Sequence, residues 1–79
     1  MEIFYSSKFE REYRKLPTKI KMLAEHKEQI FGQNPFHGKL NTHKLGGQLK
    51  KYWAFSIDQK YRIIFEFAKK AYSVVSFGW

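Results

Sequence analysis

The spacing of apolar residues changes along the chain, from helical in the first half to alternating in the second. Phe9, Tyr13 and Leu16 recur at i, i+4 and i+7, which places them on one face of a helix. Residues 2–5 alternate weakly and predict a short strand before that helix. From Tyr52 onward the period becomes two, the pattern of half-buried strands. The order predicts an α+β fold with the helices before the main sheet.

Local signals predict two helices in the first half. Ser7 and Glu10 have the spacing of a capping box, so we expect a helix that begins at Ser7 and is stopped by Pro17. Thr18 is expected to cap a second helix, which Gly32 is placed to end. The short connection predicts an antiparallel helix hairpin. The apolar stripe of the second helix contains Ile20, Leu23, Ala24, Lys27, Ile30 and Phe31.

The second half predicts an antiparallel meander of three strands, at 52–57, 61–67 and 72–77. Turns are expected at 58–60 and 68–71. The helix pair should cover one face of the sheet and leave the other open. The residues expected in the core are Trp53, Phe55, Tyr61, Ile63 and Phe65 from the strands, and Phe9, Leu16, Leu23 and Ile30 from the helices.

Length and composition limit the possible classes of protein. A chain of 79 residues has room for one domain, which we expect to span 1–79. The absence of Cys excludes disulfides and thiolate metal sites, which fits a reducing cytoplasm. The first residues lack the basic flank and apolar run of a signal peptide, and no stretch reaches the roughly 18 apolar residues of a membrane span. A cytoplasmic protein is therefore expected.

Positive charge is concentrated in the middle of the chain. The formal net charge is +8, and residues 32–62 carry six basic and one acidic side chain, against seven basic and five acidic in residues 1–31. This middle section includes a long loop at 32–48, rich in Gly, Asn and Pro, and long loops in small domains are often functional. A basic section of this kind suits a phosphate backbone, so a polyanion, with nucleic acid as the leading candidate, is the expected partner.

Arg62 is the strongest candidate for a site residue. It lies in an apolar strand, on the side opposite Ile63 and Phe65, and should point to the open face of the sheet. A guanidinium on a rigid strand can bind two phosphate oxygens at once. The alternative is a structural ion pair with Glu66 or with a carboxylate on a neighbouring strand.

His43 is a second candidate, because an imidazole can take or give the proton that phosphodiester cleavage requires. The alternative, for it and for His37 in the same loop, is an exposed histidine without a role. Scattered histidines without Cys or paired carboxylates predict no metal site. The candidate RNA-binding lysines are Lys39, Lys44, Lys50 and Lys51, each of which could also be ordinary solvated surface.

Three runs of the sequence together resemble the RelE/ParE superfamily of bacterial toxins. They are HKLGGQL at 43–49, YWAFSI at 52–57 and YRIIF at 61–65. They match a family pattern of Leu-x-Gly, a strand, and then Tyr-Arg followed by two aliphatic residues and an aromatic one. The opening Phe9-x-x-x-Tyr13-x-x-Leu16-Pro17 also resembles the first helix of the family. The resemblance covers essentially the whole chain, in the element order derived above.

The resemblance implies the toxin of a type II toxin–antitoxin system. It is closest to the RelE/YafQ-like branch, whose members cut messenger RNA on the ribosome without a cofactor. Arg62 matches the strand arginine that contacts the scissile phosphate, and His43 falls where some YafQ-like members place a catalytic histidine. Lys50 and Lys51 fall near basic positions of RelE-like members. The implied partners are messenger RNA, the ribosome and a cognate antitoxin, whose acidic segment would fold on binding.

The sequence departs from the family pattern at its end. Members of this branch continue after the last strand with Gly, then His or Arg, and then an acidic-aliphatic-Tyr ending, whereas this sequence ends at Gly78-Trp79. The expectation is a chain that keeps the fold and some affinity for RNA or the ribosome but cleaves poorly. Two alternatives stay open: a ParE-like inhibitor of DNA gyrase, and a non-catalytic module that only binds its antitoxin.

Overall fold

Two helices and five strands make up the computed structural model, which describes residues 2–68 and 71–78. The elements are β1 (Glu2–Tyr5), α1 (Ser7–Arg14), α2 (Thr18–Gln33), β2 (His43–Lys44), β3 (Trp53–Ser56), β4 (Arg62–Ala68) and β5 (Ala71–Gly78). The predicted order of strand, two helices and three strands is confirmed. The segment predicted as a loop, 32–48, is more structured than expected, because it also contains β2 and the short 3₁₀ helix Gly38–Leu40.

The strands form one mixed sheet in the order β1-β5-β4-β3-β2. The predicted meander is present, since β3, β4 and β5 pair antiparallel in succession. β1 pairs parallel with β5, and β2 adds to β3 at the opposite edge. The turn predicted at 68–71 includes Lys69 and Lys70, which lie outside the described residues.

The first helix is capped one residue earlier than predicted. The Ser6 Oγ accepts a hydrogen bond from the Phe9 N–H at 3.0 Å and donates one to the Val75 carbonyl. The helix begins at Ser7, as expected, but the predicted capping role of Ser7 is wrong. Ser6 has the extended backbone of an N-cap, whereas Ser7 already belongs to the helix.

The second helix also differs from the prediction at both ends. Pro17 occupies the N-cap position and no side chain caps the helix, so Thr18 is its first residue rather than its cap. The helix continues through Gly32 to Gln33 and ends at Asn34, whose backbone is extended. No helix within the described ranges is long and apolar enough to cross a membrane.

The core lies between the helices and one face of the sheet. Its buried side chains are Phe9, Ala24, Phe31, Leu40, Phe55, Ile57, Ile63, Phe65, Val74 and Phe77. Several residues predicted in the core, namely Trp53, Tyr61, Leu16, Leu23 and Ile30, pack against its margin and are only partly buried. Ile63 is fully buried on the helix-covered face, which confirms the predicted register and places its neighbour Arg62 on the other face.

Candidate functional site

The face of the sheet opposite the helices brings His43 and Arg62 onto one surface. Arg62 of β4 lies opposite Ser56 of β3, and His43 of β2 lies opposite Ala54 of β3. Residues directly opposed in an antiparallel pair point to the same side, and Ala54 and Ser56 are two positions apart on β3. His43 therefore shares the open face with Arg62.

A shallow cavity of about 250 Å³ lies at this end of the open face. Its lining residues are His43, Ser56, Asp58, Gln59, Lys60, Tyr61 and Arg62. The two predicted catalytic residues thus line the same cavity, although they come from separate strands.

The Arg62 side chain lies close to Gly78, its partner on the neighbouring strand β5, where no side chain is in its way. A Cβ at Gly78 would lie 3.2 Å from the Arg62 Nε and 3.4 Å from its Cγ. The Nε is buried and has no hydrogen-bond partner among the described residues. Burying an unpaired donor costs about 1–3 kcal/mol, which a bound anion could offset by balancing the guanidinium charge.

The His43 ring is oriented by a backbone carbonyl. Its Nδ1 lies 3.0 Å from the Asn41 carbonyl oxygen, and a carbonyl can only accept. The neutral ring therefore carries its proton on Nδ1 and leaves the Nε2 lone pair free to accept one. His37 is bonded in the opposite sense, because its Nδ1 accepts from the Lys39 N–H at 3.1 Å and so caps a short helix.

An Asp turn between β3 and β4 builds one side of the cavity. The Asp58 Oδ1 accepts the backbone N–H groups of Tyr61 at 2.7 Å and of Lys60 at 2.9 Å. The hydrogen bond from Tyr61 is the main reason that the pKa of Asp58 is lowered, and the one from Lys60 acts in the same direction. The turn was predicted from the sequence, but its residues were not recognised as part of a site. The sequence signal for these residues is the run Asp58-Gln59-Lys60-Tyr61-Arg62, in which an Asp opens a turn and two cations and a Tyr follow.

The predicted RNA-binding lysines do not gather around this cavity. Lys44 lies opposite Trp53, which packs at the margin of the helix-side core, so Lys44 and His43 lie on different faces of the sheet. Lys50 and Lys51 are exposed in the connection between β2 and β3, and Lys39 is exposed in the first 3₁₀ helix. Lys60, which was not predicted, does line the cavity.

No group of three or more His, Cys, Asp or Glu side chains is placed to hold a metal ion within residues 2–68 and 71–78. The cavity is lined by an imidazole, a guanidinium, an ammonium, hydroxyl groups, an amide and the Asp58 carboxylate.

Solved toxin structures match the chain over nearly its whole length. YafQ from E. coli strain BL21(DE3) covers 98% of this chain with a TM-score of 0.80 and 17% identity, and 90% of YafQ is matched in return. The YoeB–YefM complex from Staphylococcus aureus matches at a TM-score of 0.78 and 16% identity, over 100% of this chain and 95% of that one. This chain has the RelE/ParE toxin fold.

The RelE-like fold extends to an archaeal structure, the RelE–RelB complex from Pyrococcus horikoshii OT3. It matches at a TM-score of 0.75 and 15% identity, over 96% of this chain and 90% of that one. No protein-family model matches the sequence, and no curated protein matches it. The likeness is therefore one of structure, and it confirms the RelE-like α+β fold predicted from the sequence.

Proposed function

We propose that this chain is the toxin of a type II toxin–antitoxin system and that it cleaves messenger RNA on the ribosome. The observation that carries the proposal is the cavity that His43 and Arg62 line together on the helix-free face. The RelE-like fold and the resemblance of the 43–65 segment to RelE/YafQ-like toxins support it.

The proposed reaction uses groups that line the cavity together with a proton from solvent. The 2′-hydroxyl of the RNA attacks the adjacent phosphorus and gives its proton to the His43 Nε2. The bond from phosphorus to the 5′-oxygen breaks, and that oxygen takes a proton from solvent. The products are a 2′,3′-cyclic phosphate and a 5′-hydroxyl. Arg62 stabilises the negative charge that develops on the phosphate oxygens, with Lys60 as a second cation.

A cognate antitoxin is the proposed regulator. The YoeB–YefM and RelE–RelB structures are complexes of proteins with this fold. The basic middle section of the chain suits a partner with an acidic segment, which would neutralise the surface that RNA otherwise occupies.

The test is primer extension on translated messages after expression of the chain in bacteria. Wild type should produce new 5′ ends within reading frames that a strain without the chain lacks. Arg62→Ala and His43→Gln should each reduce cleavage by about 10²–10⁴-fold, the usual effect of losing a general base or a charge-stabilising group. His26→Gln, an exposed residue of α2, is the matched control and should behave as wild type.

The rival functions give different results in the same strains. Unbroken messages together with inhibition of DNA supercoiling by gyrase would establish a ParE-like inhibitor. Unbroken messages without gyrase inhibition, in a chain that still binds its antitoxin, would establish a non-catalytic binding module. Either result would overturn the RNase proposal.

A further inference from the structure

A second cavity, of about 510 Å³, lies in the helix layer and not on the open face. It is an open cleft between α1 and α2, next to the end of β1. Its lining residues are Tyr5, Phe9, Glu10, Tyr13, Arg14, Glu25 and Glu28.

The charge of this cleft is opposite to that of the chain. Three of the seven acidic residues line it, Glu10, Glu25 and Glu28, in a protein of net charge +8. The Tyr13 hydroxyl donates to the Glu25 Oε1 at 3.0 Å and so connects the two helices. The Glu28 Oε1 is buried and has no hydrogen-bond partner among the described residues. Buried carboxylate oxygens are normally paired, so this one lacks a donor.

The environment of Glu28 is unfavourable for its negative charge. Burial, and then the nearby charge of Glu25, raise the pKa of Glu28 to about 7. Burial, followed by the hydrogen bond to Glu25, raises the pKa of Tyr13 to about 12, so its hydroxyl stays protonated and donates to the carboxylate. A cation placed between Glu25 and Glu28 would reverse this penalty.

Aromatic rings form the rest of the wall. The Phe9 ring is buried and stacks on Phe77 at 4.6 Å, and the more exposed rings of Tyr5 and Tyr13 lie 5.5 Å and 6.1 Å from it. Ring faces beside carboxylates favour a planar cation, because a guanidinium can stack on an aromatic face while it donates hydrogen bonds at its edge. Arg14 at the rim is exposed and forms no ion pair with these carboxylates in the part of the chain that the structure describes.

We infer that this cleft binds the guanidinium group of an arginine side chain presented by a protein partner. The inference rests on the ring-walled cavity, its concentration of carboxylates and the unpartnered oxygen of Glu28. It does not depend on RNA cleavage. The cleft and the Arg62 cavity lie on opposite sides of the sheet, so a basic protein segment and an RNA strand could be bound together.

The test is an NMR titration of the chain with N-acetyl-arginine amide at pH 8. The neutral analogue N-acetyl-citrulline amide, which has nearly the same shape, is the control ligand. The arginine compound should shift the ring resonances of Tyr5, Phe9 and Tyr13 in a saturable way, and the citrulline compound should not. Equal shifts with both compounds, or shifts spread over all acidic residues, would overturn the inference.

Two variants distinguish specific binding in the cleft from nonspecific attraction between the cationic ligand and the carboxylates of the protein. Glu28→Gln should weaken binding of the arginine compound about tenfold, the usual effect of losing one charge-assisted hydrogen bond. Glu66→Gln, on the other side of the sheet, removes the same charge and should leave binding unchanged. Equal effects of the two substitutions would contradict a specific site.

Binding should also depend on pH in a defined direction. At pH 6 Glu28 is mostly protonated and must lose its proton to bind a cation, so affinity should rise by up to about tenfold between pH 6 and pH 8. The other charged and titratable groups of the cleft are Tyr5 on β1, Glu10, Tyr13 and Arg14 on α1, and Glu25 on α2. Glu28→Gln should flatten the pH profile, and an unchanged profile in that variant would overturn the role of Glu28.

Discussion

Arg62 owes its position to the residue opposite it on β5. The Arg62 side chain passes over β5 at Gly78, which has only a hydrogen atom where alanine would have a methyl group. A Cβ there would meet the Ile64 Cδ1 at 3.1 Å and the Arg62 Nε at 3.2 Å. These distances are tighter than ordinary van der Waals contact, so any side chain at Gly78 must move the guanidinium by a few tenths of an ångström.

Gly78→Ala should therefore impair the proposed site with little effect on the fold. We expect RNA cleavage to fall about 3–10-fold, because misplacing a catalytic group by 1 Å can cost about 10²-fold. The midpoint of thermal unfolding should change little, since the contacts are with side-chain atoms and not with the backbone. Gly46→Ala is the control, because its backbone is extended and a Cβ there meets nothing within 4 Å. Equal cleavage by the two variants would show that Arg62 does not depend on Gly78.

The carboxylates of Glu25 and Glu28 form part of an acidic cleft that the net charge of the chain does not predict. The sequence predicts a basic protein, with a formal net charge of +8. The acidic cleft depends on how α1 and α2 face each other, and neighbouring carboxylates on two helices cannot be recognised until that arrangement is known.

Among the elements, α1 and β5 are joined through one side chain. The Ser6 hydroxyl caps α1 at the Phe9 N–H and also donates to the Val75 carbonyl. Val75 is the extra residue on β5 where the pairing with β4 shifts register between Ile64 and Phe65. Ser6 thus satisfies a helix terminus and a carbonyl at an irregular point of the sheet.

Ser6→Ala should lower the free energy of unfolding by about 1–2 kcal/mol, the usual effect of removing an N-cap. Ser7→Ala is the control, since Ser7 lies within the helix, and its effect should stay within about 0.5 kcal/mol. Urea denaturation of both variants measures the difference. A larger loss in Ser7→Ala would restore the capping box that the sequence suggested.

Alternation correctly predicted the three strands of the meander and the face of Arg62, because the register of a half-buried strand is fixed by its own side chains. It could not predict that β1 pairs with β5, since that pairing joins the two ends of the chain. The position of His43 on the open face could not be predicted from the alternation either. It depends on β2, a strand of two residues that forms only because β3 offers an edge.

Over the whole molecule, the two cavities on opposite sides of the sheet differ in charge. The open face carries the Arg62 cavity, and the helix layer carries the acidic cleft. An RNA strand should therefore approach the open face rather than the acidic cleft, with its affinity falling steeply as salt rises.

The resemblance to RelE-like toxins, and not the cavity, is the reason that Lys50 and Lys51 are proposed to contact RNA. Replacing Lys50 and Lys51 with Ala should reduce the slope of log affinity against log salt by about 1.4, because each phosphate contact to single-stranded RNA contributes about 0.7. Replacing Lys8 and Lys15, two exposed lysines at opposite ends of α1, should leave the slope unchanged. Fluorescence anisotropy with a short RNA gives both slopes. The salt concentration should be varied between about 50 and 200 mM, because phosphate contacts lose much of their affinity over this range. Equal slopes in the two double variants would place RNA elsewhere.

The central claim is that His43 and Arg62 act together on one phosphodiester. The most direct test is the single-turnover rate of cleavage of a ribosome-bound message by wild type, His43→Gln, Arg62→Ala and the double variant. Groups that act as a unit give non-additive losses, so the double variant should be about as slow as the slower single variant. Each single variant should be about 10²–10⁴-fold slower than wild type. A wild-type rate in either single variant would contradict the account.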